Sequence, residues 1–180
     1  LAKYLSPAQH AEALTAVVSV RDENLRATVL AAFAQHLPGD LHERLIATAM
    51  AIGQPGCRTR ALAGIAGHLA AQRQAAVVAA AVAAAVEAGA DDQIRDLALT
   101  DLAGMLTTAQ LDMILTAVTT STHQPPPVLI KVVPYLTAGQ IDRVLSLFRP
   151  GADLGLYLFT GLLPHLAGDR RAAVIAAELA

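Results

Sequence analysis

The sequence predicts an all-α fold, a right-handed α-solenoid of about five and a half αα-hairpin repeats of 30–37 residues. Three observations carry this. A two-residue anchor returns as Tyr4-Leu5, His36-Leu37, His68-Leu69, Met105-Leu106, Tyr135-Leu136 and His165-Leu166, at spacings of 32, 32, 37, 30 and 30. Further apolar columns keep register with it, which chance in a leucine-rich chain does not produce. Alanine, the best helix former, fills the stretches between, and no segment alternates with the period of a strand.

Each repeat reads as two helices. Six residues before the anchor stand Leu30, Leu62, Leu99, Leu129 and Phe159, and three before it Phe33, Ile65, Leu102, Val132 and Leu162. With the anchor leucine these lie on one stripe of a 3.6-period helix, here termed helix A. Nine and ten residues after the anchor come Ala13-Leu14, Leu45-Ile46, Val77-Val78, Ile114-Leu115, Val144-Leu145 and Val174-Ile175, the inward face of helix B.

Short breakers separate A from B: Ser6-Pro7, Pro38-Gly39, Thr107-Thr108, Thr137-Ala138-Gly139 and Ala167-Gly168, with the breaker lost at Ala70-Ala71. Ser6, Thr107 and Thr137 are N-cap residues for helix B, and Pro7 suits its first turn, where a missing N–H costs nothing. Asp22-Glu23, Gln54-Pro55-Gly56, Gly89-Ala90-Asp91, Pro125-Pro126-Pro127 and Pro150-Gly151 mark the loops between repeats. Helices are therefore expected over 7–20, 24–36, 40–53, 58–69, 71–88, 92–106, 108–121, 127–136, 138–149, 153–166 and 169–179. Ala31, Ala34, Ala63, Ala66 and Ala103 would let helix axes approach closely. Pro134 and Pro164 should each kink a helix A near its end. The whole of 1–180 reads as one helical-repeat domain. The absent initiator Met and an uncapped last helix suggest a fragment of a longer array.

Composition excludes several functions. The 13 basic and 15 acidic residues give a net charge of −2, so no global field would draw in nucleic acid. Aromatics at 3%, with no Trp, provide no platform for stacking bases. One cysteine closes no internal disulfide. The longest apolar run, Ala75 to Val86, is mostly alanine and falls short of the ~20 residues of a membrane span. A cytoplasmic protein without membrane, metal or cofactor is expected.

Candidate chemistry is sparse. Arg26, Arg58 and Arg95 form a column ten residues before the anchor, able to hold a carboxylate or phosphate of a partner. The bland alternative pairs Asp22 with Arg26 and Asp91 with Arg95 at i,i+4. His36, His68 and His165 share the anchor column, yet successive helices stand roughly 10 Å apart. They read as half-buried helix ends rather than a metal site, and His10, His42 and His123 lack partners at ligand spacing. Cys57, beside Arg58 and Arg60, has no histidine placed to act as its base. Asp91, Asp92, Asp112 and Asp142 fall at helix starts or exposed positions. No catalytic residue is assigned.

Arg26-Ala27-Thr28-Val29-Leu30-Ala31-Ala32-Phe33-Ala34-Gln35-His36-Leu37-Pro38 resembles the degenerate Leu/Ala-rich helical repeats of bacterial STAND and NACHT signalling NTPases, whose C-terminal arrays are sensors. Arg60-Ala61-Leu62-Ala63-Gly64-Ile65-Ala66-Gly67-His68-Leu69 fits with its arginine shifted by two. The later copies depart, with Pro125 and Gly155 where Arg26 stood. The resemblance implies a HEAT- or TPR-like scaffold that is not an enzyme. It binds a protein or peptide and is attached to an NTPase or effector domain outside this chain. No Gly-x-x-x-x-Gly-Lys stretch is present to bind nucleotide. Two alternatives remain at this point: a HEAT-like nucleic-acid-binding module, which needs a continuous basic groove, and a small enzyme with a site between helices.

Overall fold

The computed structural model describes residues 5–88, 93–119, 128–146, 161–166, 168–169, 171–172 and 175. Among these the fold is all-α, with no strand. The helices are α1 (Pro7–Val18), α2 (Glu23–Ala34), α3 (His42–Met50), α4 (Pro55–Ala66), α5 (Ala71–Glu87), α6 (Gln93–Leu102), α7 (Thr108–Thr119), α8 (Val128–Val132) and α9 (Ala138–Leu145). The expected loops Gly89-Ala90-Asp91, Pro125-Pro126-Pro127 and Pro150-Gly151, the start of the 153–166 helix and most of 169–179 lie outside the described residues.

The helix starts follow from side-chain chemistry. Ser6 and Thr137 cap α1 and α9 through capping boxes with Gln9 and Gln140, each side chain satisfying the other's backbone N–H. The Thr107 hydroxyl accepts from the Gln110 amide, and Gln110 Oε1 accepts from the Thr107 amide, completing the same device at α7. Asp22 caps α2 by accepting from the amides of Asn24 and Leu25.

Burial follows the predicted columns. Leu30, Leu62, Leu99 and Leu129 are fully buried, as are Ile65, Leu102, Val132 and Leu162 in the next column; Phe33 is only partly covered. Leu14, Leu45, Val78, Ile114, Leu115 and Val144 supply the helix B side of the same core. Each leucine so buried contributes about 1.5–3 kcal/mol of transfer free energy. These stripes cannot be hidden within one helix pair. Accordingly α2 packs on α4, α4 on α6, and α6 on α8, while α2 and α4 also pack on both chain neighbours and α6 on α5. The helix at the middle, α4, touches α2, α3, α5 and α6, and is buried on most sides.

Three local expectations are corrected. First, α4 begins at Pro55, not residue 58, because Pro55 occupies the first turn after Gln54. Cys57 is thus a buried helical residue and not a loop thiol; its Sγ lies 3.1 Å from Gln54 Oε1. Second, the prolines do not kink helix A. The chain leaves α8 through a 3-10 turn, Val133–Tyr135, and repeats that turn at Leu163–His165. A proline lacks the N–H for another α-type bond, and the tighter turn needs none at that position. Ala103–Met105 makes the same turn without proline, so proline reinforces an exit the repeat already uses. In all three copies the anchor leucine that follows is extended, with φ/ψ of −80/137, −80/142 and −90/136 at Leu106, Leu136 and Leu166. Third, the anchor histidines differ in exposure: His36 is partly covered, whereas His68 and His165 are open to solvent.

Candidate functional site

The arginine column is drawn inward. Arg26 Nη1 donates to the Val20 carbonyl at 3.3 Å, and Arg58 Nη1 donates to the Ile52 carbonyl at 2.9 Å. Both acceptors lie six residues back, in the segment following a B helix. A guanidinium there answers carbonyls left open near a helix C-terminus. The second Nη of Arg26 pairs with Glu23 at 2.9 Å, and that of Arg58 with Glu87 at the end of α5. Arg95 is 1% exposed and holds Asp96 Oδ1 through both Nε and Nη2. Arg26 and Arg58 each join the start of their helix to the segment that precedes it, whereas Arg95 pairs with its neighbour Asp96. Arg26 is paired with Glu23 rather than Asp22, because the Asp22 carboxylate is used as the α2 cap. Asp91 lies outside the described residues.

Glu23 links the start of α2 to the segment ahead of α4. Its carboxylate accepts from the Gly53 amide at 3.0 Å and the Gln54 amide at 2.6 Å, in the loop ahead of α4. The Gln54 and Gly53 N–H groups, followed by Arg26, hold the Glu23 carboxyl below its ordinary range.

Along the B helices a second set of links has the same period. Arg44 Nη2 donates to Thr15 Oγ1 at 2.7 Å, and Arg143 Nη2 donates to Thr116 Oγ1 at 3.1 Å. In each case the threonine hydroxyl also donates to the carbonyl four residues back, Ala11 or Asp112. Arg44 and Arg143 both stand eight residues after an anchor, and Thr15 and Thr116 eleven after. Arg73 pairs with Glu43 at 3.2 Å between α5 and α3. Gln140 is buried; its amide donates to the Thr108 carbonyl and to Asp112 Oδ1, joining α9 to α7.

The outward face of the A helices is built differently. On α2 the exposed positions are Asn24, Leu25, Thr28 and Ala32, with Gln35 following; on α6 they are Gln93, Leu97 and Asp101, with Gly104 following. Those spacings place each set on one side of its helix. Leu25 is 53% exposed, Leu97 65% and Tyr135 50%, the largest apolar exposures on these helices. Between them lie small residues: Ala32, Gly64, Gly67 and Gly104. A methyl placed on Gly104 would stand 3.4 Å from the Tyr135 hydroxyl, so the tyrosine lies against the glycine. Arg60 reaches sideways to Asn24 Oδ1 at 3.0 Å.

Among the described residues no group of three His, Cys, Asp or Glu side chains is placed to hold a metal ion, and no helix is long and apolar enough to cross a membrane. The cross-repeat links escape a reading of apolar columns alone. Their signal was present in the recurrence of arginine at +8 and threonine at +11, and in the Ser/Thr-x-x-Gln boxes at 6–9, 107–110 and 137–140. Comparison with protein-family models, with characterised proteins and with solved structures yields no match.

Proposed function

We propose that the chain is an interaction scaffold without catalytic activity, a right-handed α-solenoid of about five and a half helix pairs that binds a protein or peptide along its A-helix face. The observation that carries this is the register of the Arg44–Thr15 and Arg143–Thr116 hydrogen bonds. The same two positions meet across two separate junctions, as stacked copies of one unit require. α2, α4 and α6 pack closely in succession while α3 is linked to α1 and α5 by long side chains, which supports the A face as the concave one. Leu25, Leu97 and Tyr135 supply anchors on it above a floor of small residues. The likeness of residues 26–38 to STAND and NACHT repeats supports placing this scaffold as the sensor end of a bacterial signalling protein, with its NTPase or effector domain elsewhere in the polypeptide.

A photo-crosslinking amino acid at Leu97 in the full-length protein tests the reading against the same group at Ala76, exposed on α5. Leu97 should give a discrete crosslinked species that Leu25→Asp with Tyr135→Asp abolishes. Equal labelling from both faces, or none from Leu97, defeats it.

A further inference from the structure

We infer that α3 is a movable element, and that the array changes curvature by α3 tilting between α1 and α5 about a fixed line of A helices. This rests on the stacked-pair arrangement proposed above. The two rows are joined by different physics. Across the A row the contact is backbone to side chain: a methyl placed on Gly64 of α4 would overlap the Ala31 Cβ of α2 and stand 3.0 Å from its Cα. Close-packed contacts of this kind have no slack, because either approach or separation forfeits dispersion contact at once.

Around α3 the B row lacks that contact. The Cα atoms of α3 come within 8 Å of those of α1 and α5 at isolated points at most, whereas α5 and α7 pack directly. What spans the two gaps is side chain: Arg44 to Thr15 on one side, and Arg73 to Glu43 on the other. Arg73 and Glu43 are 51% and 69% exposed, so water and salt compete with the pair. The inward residues Leu45, Ala49 and Ile52 are fully buried, and α3 packs on α2 and α4 of the A row. They leave tilt along the row restrained by the two rungs. At nine residues, α3 is also little more than half the length of α5, with 17.

Spin-label pairs across two junctions test this in the full chain, with the buried Cys57 left in place. Ala16→Cys with Ala76→Cys spans α1 to α5 in the B row; Ala32→Cys with Asp101→Cys spans α2 to α6 in the A row. All four positions are exposed. Raising salt from about 0.1 M to about 1 M shortens the Debye length from about 10 Å to about 3 Å. The B-row distribution should be the broader and should lengthen by on the order of 2 Å, the scale of helix shifts at packed interfaces. Arg44→Met with Arg73→Met should reproduce that change at low salt, and the A-row distance should stay narrow and fixed throughout. A B-row distance indifferent to both salt and the double substitution overturns the inference, as does equal broadening of the two rows. An A-row distance too long for α2, α4 and α6 packed in succession would instead overturn the arrangement on which it rests.

Discussion

Gly64 of α4 faces Ala31 of α2 with no room for another carbon between them. Leucine at this contact would hold the two helices farther apart, so this pair sets the spacing of α2 and α4. Gly64→Ala should lower stability by about 1–3 kcal/mol through overpacking, despite the better helix propensity of alanine. Gly67→Ala, three residues on, has nothing within 4 Å of the added methyl and a right-handed backbone. It should be neutral or stabilising by up to about 1 kcal/mol. Thermal unfolding separates the two, at about 2–4 °C per kcal/mol for a chain of this size.

The two arginine–threonine rungs should be energetically alike. Double-mutant cycles with Thr15→Val and Arg44→Met, and with Thr116→Val and Arg143→Met, should each return a coupling of about 0.5 kcal/mol. Denaturant titration of the parent and the six variants measures both.

Much of this architecture is legible in the residues. Leu30, Leu62, Leu99 and Leu129 announce a helical stripe because burial needs one leucine on the same side of every A helix. What the stripe does not reveal is how polar side chains are shared. Asp22 and Glu23 are adjacent carboxylates near Arg26, and sequence spacing alone favours the i,i+4 pair. The backbone decides otherwise: the position before a helix uses its carboxylate on free amides, which leaves Glu23 to meet the arginine. The start of α4 was obscured for a similar reason, since Gln54-Pro55-Gly56 has the composition of a turn and yet proline and glycine are tolerated in a first helical turn. Contacts such as Arg44 to Thr15 depend on how far one repeat is rotated from the next, and no single repeat encodes that.

Acid should loosen the first junction through Glu23. Its folded-state pKa lies below the ordinary value near 4.5, so its contribution is present at neutral pH and lost as pH falls through that lowered value. Glu23→Gln should therefore be less stable than the parent at pH 7. The difference should begin to shrink as pH falls through about 4.5, where the unfolded carboxylate protonates, and vanish below the lowered folded-state value. Urea unfolding midpoints across this range provide the measurement; a difference independent of pH would assign the effect to packing.

Among the capping glutamines, position 140 should matter most. Gln9 completes an exposed capping box, and Gln9→Ala should cost about 0.5–1 kcal/mol. Gln140 does the same for α9 while also binding the Thr108 carbonyl and Asp112 from a buried position. Gln140→Ala should cost about 1–2 kcal/mol more, because it strands a partly buried carbonyl and a carboxylate oxygen. Chemical denaturation of the two variants gives the comparison.

The most direct test is an experimental structure read as a superposition. One screw motion that lays α1 and α3 on α7 and α9 should bring Thr15 onto Thr116 and Arg44 onto Arg143, with both hydrogen bonds formed. A closed bundle in which α1 and α3 take up a different relation from α7 and α9, or in which Arg44 and Thr15 stand apart, would contradict it.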